Sequence, residues 1–257
     1  MNKTLLRVAV AATVVAAGTA PAQEEASWGL GVGAVVSDGA YAGRDARVTP
    51  LPVVIYESER LFFRGIEGGV HLLRGEQFSL DAIAGARLDG IDAKDFGIPE
   101  LAANGIDRNL LSDRDDSLDA GVRVGFNGPY GQLRATLVAD VLDKSGGFEA
   151  TVRYGYPLEL AENLTLTPYA SGNFLSKKMS RYYYGTLDEE IARGVVSYKP
   201  DAAFIPGVGA SLEYRFAGRW MLLGDVGYKA LPGTLKDSPL LDAKGSPSLL
   251  IAVIRSF

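Results

Sequence analysis

The 257-residue chain contains no cysteine, one histidine and three methionines. Without cysteine there is no disulfide framework, and thiolate metal sites and thiol redox chemistry are closed to it. A single histidine removes the Cys/His clusters that hold zinc. Basic clusters are missing as well, and a formal net charge of −5 argues against a nucleic-acid partner. Beyond the first stretch of the chain no run of about 18 apolar residues occurs, so no helix can span a bilayer. No internal repeat, linker or second domain is visible.

What is present begins with an export signal. Lys3 and Arg7 precede an apolar segment over residues 8–17, and Ala20-Pro21-Ala22 follows as a small-x-small cleavage site. About ten apolar residues are too few to cross a hydrocarbon core of roughly 30 Å, which sets a membrane anchor aside. Residues 1–22 are therefore expected to be removed. Their loss takes away two cations and no acid, so the formal charge moves from −5 to −7. The mature part, 23–257, is expected to be one domain.

That domain is written in alternating segments. Leu118, Ala120, Val122, Val124 and Phe126 fall on one side of theirs, with Asp119, Gly121, Arg123, Gly125 and Asn127 on the other. Phe148, Ala150, Val152, Tyr154 and Tyr156 alternate in the same way with Glu149, Thr151, Arg153 and Gly155. A period of two places successive side chains on opposite faces of a strand. A soluble sandwich and an outer-membrane barrel both satisfy this pattern, the second with apolar residues toward lipid and charges toward the lumen. The ends of the chain decide for the barrel. An export signal opens it, and a last segment with Leu249, Ile251, Val253 and Phe257 on one face closes it. A terminal aromatic such as Phe257 resembles the signal by which bacterial barrels are recognised for insertion, with Arg255 at a position that usually carries a hydrophobe. The 31 glycines and 12 tyrosines suit curved strands and interfacial girdles.

Eleven strands are read at about 28–37, 48–57, 60–73, 76–90, 117–127, 129–141, 147–157, 163–176, 203–216, 218–230 and 246–257. Single-chain bacterial barrels close with an even number. The expectation is thus an all-β, transmembrane, antiparallel up-and-down barrel of about twelve strands, with ten as the alternative. The missing strand is sought in 91–116 or among the first four. The long connections 91–116, 177–202 and 231–245 all fall at one end, opposite short turns. Inward positions carry both signs, at Asp81, Arg87, Asp119, Arg123, Arg134, Asp140, Glu149, Arg153, Glu213, Arg215, Asp225 and Lys229. Mixed signs on neighbouring strands favour a narrow or plugged lumen over a wide channel.

Several ordered motifs point to a family. They are Leu51-Pro52-Val53-Val54-Ile55-Tyr56-Glu57, Phe62-Phe63-Arg64-Gly65 with Gly68-Gly69, and Asp113-Arg114-Asp115-Asp116-Ser117-Leu118-Asp119-Ala120-Gly121. Next come Asp140-Val141-Leu142-Asp143-Lys144-Ser145, Tyr182-Tyr183-Tyr184-Gly185, Glu190, Arg193, Tyr198-Lys199-Pro200 and Asp237-Ser238-Pro239-Leu240. In order and spacing this resembles the MipA/OmpV family of MltA-interacting proteins, from about Trp28 to Phe257. The resemblance implies a Gram-negative outer-membrane barrel in contact with lipid and lipopolysaccharide. In one branch it implies a scaffold joining a murein lytic transglycosylase to a bifunctional murein synthase. Other members are linked to osmotic adaptation and adhesion, which leaves a small-solute channel or surface adhesin as the alternative.

No catalytic, cofactor or metal residue is assigned. His71 is the one imidazole any Ser-His hydrolase would need, and its face points inward, near Glu67. Asp113, Asp115 and Asp116 lack calcium-loop spacing and read as a solvated acidic loop. Asp188-Glu189-Glu190 is read as the start of a short helix, with acids near its positive end. The best interaction candidate is the 177–202 loop, with Tyr182, Tyr183, Tyr184, Gly185, Glu190, Arg193 and Tyr198. Tyrosines suit binding surfaces because they combine contact area with few rotors. Folding inward to close the barrel mouth is the competing expectation.

Overall fold

The computed structural model describes residues 26–37 and 40–257, and the expected leader lies outside them. Its strands are β1 (Ser27–Ser37), β2 (Arg47–Glu57), β3 (Leu61–Arg64), β4 (Glu67–Arg74), β5 (Phe78–Arg87), β6 (Ser117–Gly128) and β7 (Gly131–Asp140). They continue as β8 (Phe148–Gly155), β9 (Leu158–Ala161), β10 (Leu164–Leu175), β11 (Ala203–Phe216), β12 (Trp220–Ala230) and β13 (Gly245–Ser256). Twelve of them form a closed antiparallel ring, in which β10 pairs with β11 and β13 returns to β1. The thirteenth, β9, pairs with the lower part of β10 below β8. Closure leaves the ring without a first or last edge.

The expected count of twelve holds, and of the two places open for the missing strand the structure takes the first four segments over 91–116. Residues 60–73 are not one strand. They form a hairpin of β3 and β4 that turns at Gly65, whose φ of +68° lies in the left-handed region glycine tolerates. The segment 91–116 supplies no strand and holds α1 (Ile98–Ala103) between short 3-10 turns. The extra hairpin brings both ends of the barrel together, since Gly29 pairs with Ser256.

Strand alternation sorts the faces as the sequence implies. Val122, Phe126, Val152 and Tyr154 are exposed on the outside, whereas Asp119 and Arg123 are buried within. An aromatic girdle lies near the terminal end. Trp28 and Tyr56 meet at 4.6 Å, and Tyr214, Phe216 and Trp220 stack in series. Arg255 joins this girdle, its guanidinium 5.9 Å from the Trp220 ring and 5.1 Å from the Phe257 ring. A cation over aromatic faces explains why this position does without a hydrophobe.

The lumen has two unlike walls. From β12, β13 and β2, Leu223, Ala252 and Ile254 pack with Val53, Ile55, Met221 and Leu250 into an apolar cluster. The opposite wall is ionic. Arg87 of β5 donates to Asp119 at 2.7 Å and to Glu149 of β8 at 2.6 Å. Arg123 donates to Glu67 at 2.7 Å, and Arg153 of β8 reaches Asp225 of β12 at 3.2 Å. Pairs between strands that are not neighbours cross the lumen and fill it, in line with the narrow reading.

Candidate functional site

The long connections gather at the end of the barrel away from the termini. There they build a cap with its own apolar core. Tyr41 and Ala42 come from the β1–β2 connection, and Ile91, Phe96, Leu101, Ile106 and Leu111 from the β5–β6 connection. Met179, Tyr183 and Val195 follow β10, and Leu235, Leu240 and Leu241 follow β12. Leu175, Ala203 and Ile205 tie this core to the rims of β10 and β11. α2 (Lys177–Tyr184) lies within the cap, followed by α3 (Asp188–Ala192) and α4 (Gly233–Lys236).

One ion pair stands at its centre. Arg114 and Glu190 are essentially without solvent exposure, and their side chains meet at 2.9 Å. The remaining hydrogen bonds of the two side chains, local and long-range, all lie within the cap. Arg114 also donates to the carbonyls of Tyr182 and Gly185, each at 3.0 Å. Glu190 accepts from the backbone N–H of Ser112 at 2.8 Å and of Leu187 at 2.7 Å. The second of these caps α3, which begins at Asp188 as its acids suggest.

The tyrosine motif is divided between interior and surface. Tyr183 is buried, and its carbonyl accepts from the Tyr41 hydroxyl at 3.0 Å. Tyr184 stacks on Tyr41, with ring centroids 6.2 Å apart. Burial raises the pKa of both Tyr183 and Tyr184, which keeps them neutral. Tyr182 is half-buried, and its hydroxyl accepts the N–H of Asp115 at 2.8 Å. Gly185 is buried, and a side chain there would meet the carbonyls of Arg181 and Tyr198 at 2.7 and 2.9 Å. Tyr198 donates to the Thr234 carbonyl at 3.0 Å. Of the seven candidate residues only Arg193 is fully at the surface. The sequence marks this loop without disclosing that Arg114, from another loop, organises it.

The other chemical candidates are likewise engaged. Both ring nitrogens of His71 meet carboxylates, Nδ1 that of Asp81 at 2.7 Å and Nε2 that of Glu57 at 2.9 Å. The neighbour expected from the sequence, Glu67, instead holds Arg123. Asp113 and Asp116 accept the backbone N–H groups of Ala93 and Gly90, and Asp115 pairs with Lys144 at 2.7 Å. Among the described residues no group of three or more His, Asp or Glu side chains is placed to hold a metal ion.

A closed barrel with an apolar outer band, a polar lumen wall and loops gathered at one end defines an outer-membrane β-barrel protein. The family model described as MltA-interacting protein MipA matches residues 30–257, and the chain belongs to this family. It is 31% identical over 240 residues to the MltA-interacting protein of Escherichia coli K12, covering 93% of this chain and 94% of the relative. It is 27% identical to the putative outer membrane protein YiaT of the same organism over 228 residues, 87% and 88% of the two chains. Among solved structures, a Pseudomonas aeruginosa FadL homologue is similar with a TM-score of 0.42 at 10% identity, covering 90% and 89% of the chains. The NanC porin has a TM-score of 0.44 at 9% identity, covering 88% and 98%.

Proposed function

We propose that the chain is a non-catalytic outer-membrane scaffold that brings a murein lytic transglycosylase together with a murein synthase. The observation that carries this reading is the 31% identity to the MltA-interacting protein across nearly the whole of both chains. The geometry agrees with a structural task. His71 is bracketed by carboxylates instead of a hydroxyl nucleophile, and ion pairs and the cap occupy the route through the barrel. With the termini in the periplasm, as in bacterial barrels generally, the cap faces outward and the short turns face the murein. Tyr130, 86% exposed in the β6–β7 turn, is the most prominent anchor on that side. The outer cap surface around Arg193 and Tyr198 would then contact lipopolysaccharide or external partners.

The test is an affinity pull-down from crosslinked envelopes. Both murein enzymes should be recovered with the native chain, less with Tyr130→Ser, and undiminished with Arg193→Ala. Recovery of neither enzyme from native envelopes would overturn the scaffold. A small-solute channel is the second reading, and one observation favours it. Arg134 sits opposite Arg153 in the lumen and, among the described residues, makes no close ion pair, as an anion site in a pore would. Stepwise conductance in planar bilayers, reduced by Arg134→Gln, would support that alternative.

A further inference from the structure

Between β2 and β5 the barrel wall stands at only part of its height. The β3–β4 hairpin that fills this position ends at its turn. There the Gly65 N–H donates to the Val54 carbonyl at 2.9 Å, and the Ala86 N–H to the Ile66 carbonyl at 3.1 Å. Above that level, residues 47–53 of β2 pair with β1 on one side. On the other side, among the described residues, they pair with no strand. β5 rises a little past the same turn and ends at Arg87. At about 3.3 Å per residue, the bare edge of β2 runs for roughly 20 Å.

The sequence of that edge is suited to staying bare. Backbone groups in a strand point alternately to its two neighbours, and the Val54 carbonyl points to the hairpin side. Val48, Pro50 and Pro52 share its parity, so their backbone groups face the gap. Two of these three positions are proline and carry no N–H. An exposed edge is ordinarily a template for another strand, and proline at the outward-facing positions removes the donors such pairing needs. The occupant of the gap is therefore not a polypeptide strand.

Its lining is apolar. On the outer face lie Val48, Pro50 and Pro52, all exposed. On the inner face Leu51, Val53 and Ile55 run into the apolar lumen wall of Leu223 and Ile254. Most of the ionic wall lies elsewhere, on β4 to β8 and on β12, and Glu57 at the foot of β2 is held by Arg64 and His71 below the gap. Thr49 adds one buried hydroxyl to the inner face and Arg87 ends β5 across the gap, while the remaining polar groups stand at the roof, where Arg44, Asp45 and Arg47 face Asp92, Lys94 and Asp95 across a cleft of about 420 Å³. The Pro50 and Pro52 carbonyls still turn toward the gap and call for hydrogen-bond donors, which hydrocarbon alone does not supply.

We propose that this gap is a lateral seat for an acyl chain of the surrounding lipid. The hydrocarbon lies against Leu51 and Val53, and the polar end sits at the charged roof. The seat opens to the outer leaflet in the orientation given above, but the side opening itself does not depend on the scaffold reading.

Quenching by lipid distinguishes an open wall from a closed one. In a background with Trp28→Phe and Trp220→Phe, Leu51→Trp places an indole on an inward-facing position beside the gap. Val138→Trp places one inward on β7, whose strand is paired on both sides, and Val122→Trp places one outward. Each variant is refolded into phosphatidylcholine vesicles with acyl chains brominated, and its barrel is verified by heat-modifiable migration. Leu51→Trp should lose most of its emission, as Val122→Trp does, while Val138→Trp keeps its own. Val53→Trp serves as a second reporter if Leu51→Trp fails to fold. Unquenched emission from the gap reporters would overturn the proposal, as would equal quenching of Val138→Trp.

Discussion

Arg114 and Glu190 lie 76 residues apart in the chain and meet inside the cap, 1% and 0% exposed. Both side chains are shut off from bulk solvent, so each charge depends on the other for its burial. Removing one partner of such a pair costs about 3–5 kcal/mol, because the survivor is left charged in an apolar interior. Glu190→Ala should therefore open the cap without unfolding the ring. The expected result is rapid proteolysis within 177–202 in a protein whose migration still shifts on heating. A cap that resists protease as well as the native one would contradict the central place given to this pair.

Orientation of the wall is tested by a paired substitution on β6. Val122 is exposed toward lipid, and Val122→Arg should destabilise the barrel by ~2–4 kcal/mol if it lies near the bilayer midplane. Asp119→Asn, on the opposite face, should cost less, since Arg87 retains Glu149 and Asp89. Unfolding free energies of both variants refolded in lipid provide the comparison. The reverse order of effects would mean that the barrel is inside out.

Gly209 makes room for a neighbour across the strands. It lies opposite Tyr169, whose ring covers the Arg153 guanidinium at 3.5 Å and whose hydroxyl donates to Asp225 at 3.0 Å. A Cβ at Gly209 would stand 2.4 Å from that ring and 2.3 Å from the Val226 carbonyl. Gly209→Val should displace Tyr169 and destabilise by about 1–3 kcal/mol, the usual range for overpacking. Gly218→Val meets no atom within 4 Å and sits instead at a φ of +72°, so its strain is confined to a turn. Thermal midpoints should separate the two, with Gly209→Val alone disturbing the lumen pairs.

Acid should loosen the rim of the cap. Asp188 pairs with Lys199 and Asp201 with Lys177, and hydrogen bonding to each lysine lowers the carboxyl pKa below its ordinary 3.8. A depressed folded pKa gives a contribution that is present above the unfolded value and lost as pH falls through the folded one. Both pairs are exposed, so the effect is small and weakened by salt. Proteolysis with an acid-active enzyme should quicken in 177–202 below about pH 4, and Asp188→Asn should remove part of that change.

Deletion of Phe257 should lower outer-membrane abundance. Its N–H donates to the Trp28 carbonyl at 2.9 Å, at the seam that completes the ring. Quantifying the protein in membrane fractions checks this, and unchanged abundance would remove the residue from the insertion signal.

The strands of the wall were legible where one face meets lipid and the other meets charge, as over 118–126 and 148–156. Residues 60–73 misled because β3 is only four residues long, and the turn at Gly65 left an apolar run that reads as continuous. β9 was hidden by Pro157, which separates four exposed residues from β8. The cap was less legible still. Its segments follow no period of two, and their order comes from long-range contacts such as Arg114 with Glu190 and Ser238 with the Tyr184 carbonyl. Tyr183 illustrates the limit, since composition marks a tyrosine run without indicating which ring turns inward.

The seam between β1 and β13 has a further consequence. Those strands hold a register as regular as any other pair in the ring, from Gly29 with Ser256 to Ser37 with Ser248. The finished barrel is therefore cyclic in topology. A circularly permuted chain, with residues 26 and 257 joined by a short linker and new ends cut at Gly218, would meet the same pairings. Any defect in its assembly would then report on the order in which strands are delivered, since the architecture itself would be unchanged.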